Sequence, residues 1–149
     1  MRLLLAAAGL LISQIAHADP IADASSPAAP VGLIDGSAYD HNGSTVMVHP
    51  ENGLIIYQSP KPSMEDVAPE GTVLFRGPVF SYSGAISGTA YAFKKGCAPA
   101  PYAVSGGYSA DNATITLRGA SPAWKGCDVV GYRKDSPNAV LRFKSMMSP

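Results

Sequence analysis

Residues 39–45, YDHNGST, gather an acid, an imidazole, an amide and two hydroxyls into seven consecutive positions. Such a set is raw material for a general base, a metal site or a hydrogen-bonding ligand site. A catalytic His41 would need Asp40 to orient it and a nucleophile to deprotonate. Successive side chains on an extended segment point to opposite faces, so Asp40 does not orient His41 directly. Ser44 and Ser87 supply hydroxyls, but GAISGT around Ser87 is not the G-x-S-x-G elbow. A metal would need further ligands. His49 lies eight residues beyond His41, about 26 Å along an extended strand at ~3.3 Å per residue. Asp40, Asn42 and Gly43 suit a tight turn, because Asx side chains accept backbone hydrogen bonds and glycine tolerates positive φ. The stretch therefore reads as a turn, with Asp40, His41 and Asn42 as candidate ligand contacts. No catalytic residue, metal or cofactor is assigned.

A second constellation surrounds the two cysteines. Lys95-Gly96-Cys97 and Lys125-Gly126-Cys127 repeat K-G-C thirty residues apart, with Lys94 and Trp124 beside them. Paired cysteines in an oxidising compartment form a disulfide, and closing this loop is worth roughly 3–4 kcal/mol on a chain-entropy estimate. The absence of a C-x-x-C spacing argues against redox chemistry. A Cys97–Cys127 bridge would bring the lysines and Trp124 into one basic, aromatic-edged patch suited to an anionic group. The plainer reading is that the lysines solvate strand ends.

The compartment follows from the opening, MRLLLAAAGLLISQIAHADP. Arg2 gives a positive start, residues 3–15 an apolar run, and Ala16-His17-Ala18 a small-residue cleavage site. These are the parts of a secretory signal peptide, cleaved between Ala18 and Asp19. The run is shorter than the about 20 residues a bilayer span needs. The expected product is periplasmic or secreted, with no membrane span after cleavage. Eleven basic and eleven acidic side chains balance over the chain, so no strong field draws nucleic acid. Residues 19–35, rich in Ala, Pro and Ser, read as a flexible arm, with residues 31–34 docking on a β domain spanning 36–147.

That domain must position both constellations. Runs 44–49 and 54–59 flank Pro50-Glu51-Asn52-Gly53 and predict a hairpin. Further runs occupy 72–76, 79–82, 85–93, 102–105, 113–118, 128–132 and 140–144. In the run 85–93 neither face is plainly polar, so cover on both sides is expected. Ser63 followed three residues later by Asp66, with Pro62 in front and Pro69 and Gly71 behind, predicts one short helix. The fold class is all-β: a small antiparallel barrel or sandwich of about eight strands with one short helix and one disulfide.

The strings YDHNGS, GTVLFRG, ISGTAYAFKKGC and ITLRG resemble a group of small exported bacterial proteins without an assigned activity, over roughly residues 38–143. The resemblance implies one domain and a shared disulfide. Ser87-Gly88-Thr89-Ala90-Tyr91 followed by Lys95-Gly96 is similar to the S-G-x-x-Y and K-G motifs of the periplasmic C-type lysozyme inhibitors. That likeness implies that Ser87 and Lys95 reach carboxylates in an enzyme's cleft, supported by Tyr91, although the motif spacing is shorter and the cysteines are placed differently. The expectation is an exported, non-enzymatic binding protein of the bacterial cell envelope, with a protein or envelope component as partner. Its alternatives are an inhibitor of a lysozyme-like hydrolase and a small hydrolase using His41. Candidate binding residues are Ser87, Tyr91, Lys94, Lys95, Trp124 and Lys125.

Overall fold

The computed structural model describes Leu33 and residues 36–147. The expected signal segment, its expected cleavage site and the rest of the 19–35 arm lie outside the described residues. Ten strands follow in order: β1 (Ser37–His41), β2 (Ser44–His49), β3 (Leu54–Ser59), β4 (Val73–Arg76), β5 (Ile86–Ala92), β6 (Ala100–Tyr108), β7 (Thr114–Arg118), β8 (Ser121–Lys125), β9 (Asp128–Arg133) and β10 (Val140–Ser145). Eight of them close into an antiparallel barrel in the order β1-β10-β7-β6-β5-β4-β3-β2, while β8 and β9 form a separate two-stranded ribbon. From β1 to β7 each strand pairs with the next in sequence. β10 returns after the ribbon and completes the wall between β7 and β1. Closure pairs every barrel strand on both sides and removes the edges that invite aggregation.

Alternation builds the interior. Tyr39 and His41 of β1, Val46 and Val48 of β2, Ile55 and Tyr57 of β3, and Leu141 and Phe143 of β10 are buried, each separated by a residue of the opposite face. The β3–β4 register shifts between Ile55 and Ile56, and Leu74 and Phe75 both join the core cluster. Such a bulge lets neighbouring residues escape strict alternation. The opposite faces of β3, β4 and β5 carry a second apolar cluster: Leu54, Ile56, Val73 and Tyr91. Leu33, the described member of the 31–34 stretch, packs against it. Strand β5 is thus covered on both faces, by Ala90 in the main core and Tyr91 in the second cluster.

Three expectations change. Residues 79–82 form no strand: Pro78 precedes the run, the Phe80 amide donates to the Pro50 carbonyl at 3.1 Å, and Phe80 turns inward to pack edge-on against Phe75. That leaves Val79 71% and Tyr82 59% exposed. The expected helix at 63–66 is a 3-10 turn, Pro62–Met64, whose N-cap is Lys61 rather than Ser63 and which has no side-chain capping bond. Pro62 occupies the first turn, where its missing N–H costs nothing, and Pro69 prevents elongation. Comparable turns occupy Pro50–Asn52 and Pro137–Ala139. Finally, β8 contains Pro122, which suppresses a strand reading from sequence. An edge ribbon tolerates it because the missing donor is not needed by a second neighbour.

Candidate functional site

Strand direction alternates around the barrel. One end therefore carries the β1–β2 turn, the β3–β4 connection, the β5–β6 loop and the β7–β10 connection with its ribbon. Both constellations singled out in the sequence lie at this end.

The DHN stretch makes the β1–β2 hairpin. His41 pairs with Ser44 across a two-residue loop, and Asn42 and Gly43 both have positive φ, 51° and 86°. This conformation matches the right-handed twist of the flanking strands and favours Asn-Gly. Asp40 is exposed while His41, only 6% exposed, points into the barrel. The neighbouring acid and imidazole therefore occupy opposite faces. The His41 ring stacks on Phe143, with centroids 4.7 Å apart, and its Nδ1 lies 2.8 Å from the Arg142 carbonyl. A carbonyl only accepts, so Nδ1 carries the proton and Nε2 of the neutral ring presents its lone pair. Burial lowers the His41 pKa below its ordinary value, outweighing the opposing pull of the Arg142 carbonyl.

This shift has a pH consequence. The unfolded chain binds a proton at His41 below about pH 6.5, whereas the folded ring resists it. The stabilisation is complete above that value and is lost as pH falls through it toward the folded pKa. Urea denaturation at pH 7.5 and 5.5 should show a loss of stability in the wild type that is smaller in His41→Phe. Equal losses in the two proteins would contradict the burial of a neutral ring.

The hairpin is braced from the β3–β4 connection. The Lys61 amide donates to Ser44 Oγ at 2.9 Å, and Lys61 Nζ donates to the Asn42 carbonyl at 3.0 Å. Opposite in sequence, the Tyr102 hydroxyl donates to the Asn138 carbonyl at 2.6 Å and ties the Pro137–Ala139 turn to the barrel. Between these braces opens a cavity of about 160 Å³, lined among others by His41, Tyr57, Lys61, Phe93 and Asn138. Burial pushes the Tyr57 hydroxyl up to about 12, so it remains a neutral donor.

The cysteine constellation assembles as a clamp. Cys97 in the β5–β6 loop bonds Cys127 at the turn of the β8–β9 ribbon, with Cα atoms 5.1 Å apart. Gly96 and Gly126 precede the two cysteines at φ 78° and 62°, a conformation that glycine adopts without a Cβ penalty. Lys94 Nζ donates to the Gly126 carbonyl at 2.6 Å and stands 5.9 Å from the centre of the Trp124 ring. The ammonium thus gains both a charge-assisted hydrogen bond and a cation–π contact. Trp124 packs in turn against the core cluster. Lys95 and Lys125 are exposed and make no ion pair or hydrogen bond among the described residues. Asp128 faces Lys125 across the ribbon, leaving three cations against one acid at the tip.

The remaining sequence candidates fall elsewhere. Ser87 is exposed near the start of β5, five residues before Ala92 at its far end, or roughly 17 Å along the strand. Lys95 lies beyond that far end, so the two do not converge. Tyr91 is buried in the second apolar cluster and is not part of an exposed contact surface. Sequence reasoning missed Tyr57, Lys61 and Asn138. Lys61 sits between two prolines and Asn138 follows one, a turn context that gives no sign of facing a cavity. No protein-family model, curated protein or solved structure matches this chain. Among the described residues no group of three or more His, Cys, Asp or Glu side chains is placed to hold a metal ion.

Proposed function

We propose that the protein is an exported, non-enzymatic binding module of the cell envelope, and that it grips an anionic group on a protein or envelope component with the disulfide-clamped tip. The observation that carries this reading is the fixing of Lys94 between the Gly126 carbonyl and the Trp124 face, beside exposed Lys95 and Lys125. Cations on separate flexible loops lose entropy when they converge on a ligand. Here the covalent clamp holds both loops together before any partner arrives. A signal peptide removed after Ala18 would deliver the chain to the compartment in which that clamp forms.

A hydrolase reading finds little support, because Asp40 turns away from His41 and the Ser44 hydroxyl is engaged by the Lys61 amide. The inhibitor reading asks Ser87 and Lys95 to enter one cleft, and the length of β5 separates them.

A glutamate-rich peptide titrated into the oxidised protein at 50 mM salt should bind saturably, and the affinity should fall as salt rises past 200 mM, where exposed charges are screened. The triple variant Lys94→Ala, Lys95→Ala, Lys125→Ala should bind at least about tenfold more weakly, or about 1.4 kcal/mol, with an unchanged barrel spectrum. Equal affinity would overturn the proposal.

A further inference from the structure

We propose that the cavity at the hairpin end of the barrel binds an uncharged ligand with a single six-membered ring and one hydroxyl or N–H donor. This site does not use the lysine clamp. Its volume, about 160 Å³, is that of a one-ring molecule: an apolar protein cavity of about 150 Å³ accommodates benzene. Met64, Leu74, Phe93 and Leu141 supply apolar surface for the ring, and Tyr57 meets Phe93 edge-on with centroids 6.1 Å apart.

Two polar tips distinguish this cavity from a packing defect. His41 Nδ1 is committed to the Arg142 carbonyl, which leaves Nε2 as an acceptor. Neither Nε2 nor the Tyr57 hydroxyl has a hydrogen-bond partner among the described residues, and both residues line the cavity. Nearly buried polar groups that stay unpaired cost stability, so a ligand donor reaching Nε2 recovers that cost. β1 and β3 both flank β2 and both tips line the one cavity, so a single ligand hydroxyl can donate to Nε2 and accept from the Tyr57 hydroxyl.

The lining also sets the charge. It contains no carboxylate, and Lys61 stands at the rim, so a cation finds no partner. An anion at Nε2 would face a lone pair and apolar walls, with the Lys61 ammonium drawn aside to the Asn42 carbonyl of the hairpin.

The test is a nitrogen-15 amide-shift titration of the protein with phenol, benzene and benzoate. Phenol should shift the amides of the cavity residues saturably. Benzene, which lacks the donor, should bind several-fold more weakly, and benzoate should not bind. Tyr57→Phe keeps the ring and removes one tip, and should weaken phenol about tenfold. Ala92→Leu fills the cavity from β5 and should abolish binding. Should Ala92→Leu fail to fold, Tyr57→Phe still decides. No saturable shift with phenol, equal binding of all three probes, or phenol affinity unchanged in Tyr57→Phe would each overturn the proposal.

Discussion

Truncation of Phe143 to alanine is expected to destabilise the barrel by about 3–5 kcal/mol, the usual range for deleting a buried aromatic side chain. Phe143 is wholly buried and sits on β10, opposite Ile115 of β7. β10 is the strand that joins the last segment of the chain to the first and so closes the wall. The surrounding wall is hydrogen-bonded all the way round, so it cannot collapse far into the space left by a phenyl ring. The loss spreads to His41, which stacks on that ring. Without the stack, the imidazole is free to turn away from the Arg142 carbonyl and take up a proton. A domain of this size is stable by only about 5–15 kcal/mol, so the variant should lie close to unfolding at 37 °C. Lys144→Ala, one residue along and facing outward, should change stability by less than about 0.5 kcal/mol. Urea denaturation of the two variants checks both values. A cost below about 1 kcal/mol for Phe143→Ala would mean that β10 does not close the barrel.

The second large effect concerns the disulfide. Replacing Cys97 and Cys127 by alanine should cost roughly 3–4 kcal/mol if the whole linked loop is released in the unfolded state. The structure says where the loss should concentrate. β6 and β7 lie within the linked loop but pair with barrel neighbours on both sides. The ribbon is held at its tip by the disulfide and Lys94, and at its root by buried Ser121, whose hydroxyl bonds that of Ser136. Its β9 residues are mostly exposed. Loss of the bridge should therefore accelerate amide exchange in β8 and β9 by about a hundredfold, through local opening, with a smaller effect in β2 and β3. Trp124 fluorescence should move to longer wavelength as the ring leaves the core surface. Uniform acceleration across all strands, with Trp124 unmoved, would show that the bridge acts only on the unfolded chain.

Much of this architecture was readable from the chain because it is written in short-range chemistry. Runs 44–49 and 54–59 become β2 and β3 with the bounds the alternation gives, and Gly53 takes the left-handed conformation at the turn. The two cysteines pair. The errors arise where tertiary burial overrides local pattern. Phe80 leaves a β-like run to fill the core, and Ser63 loses its capping role because Pro62 starts the turn one residue earlier. β1 escaped because SAYDH carries a charge and an imidazole within five residues. Its two inward residues are Tyr39 and His41, which no hydropathy pattern marks as core. The clamp was legible from the repeated K-G-C. That it shares a barrel end with the DHN turn was not, because this depends on strand order around a closed sheet. The separation of Ser87 from Lys95 and the burial of Tyr91 are likewise properties of β5 as a strand, which a short motif does not encode.

We propose that the covalent clamp organises the lysines and Trp124 into one binding surface, beyond what their charge alone supplies. Calorimetric titration of the same glutamate-rich peptide into oxidised and reduced protein isolates this, because reduction leaves the net charge at neutral pH essentially unchanged. The oxidised form should bind at least about tenfold more tightly than the reduced form. Equal affinity in the two forms would contradict it.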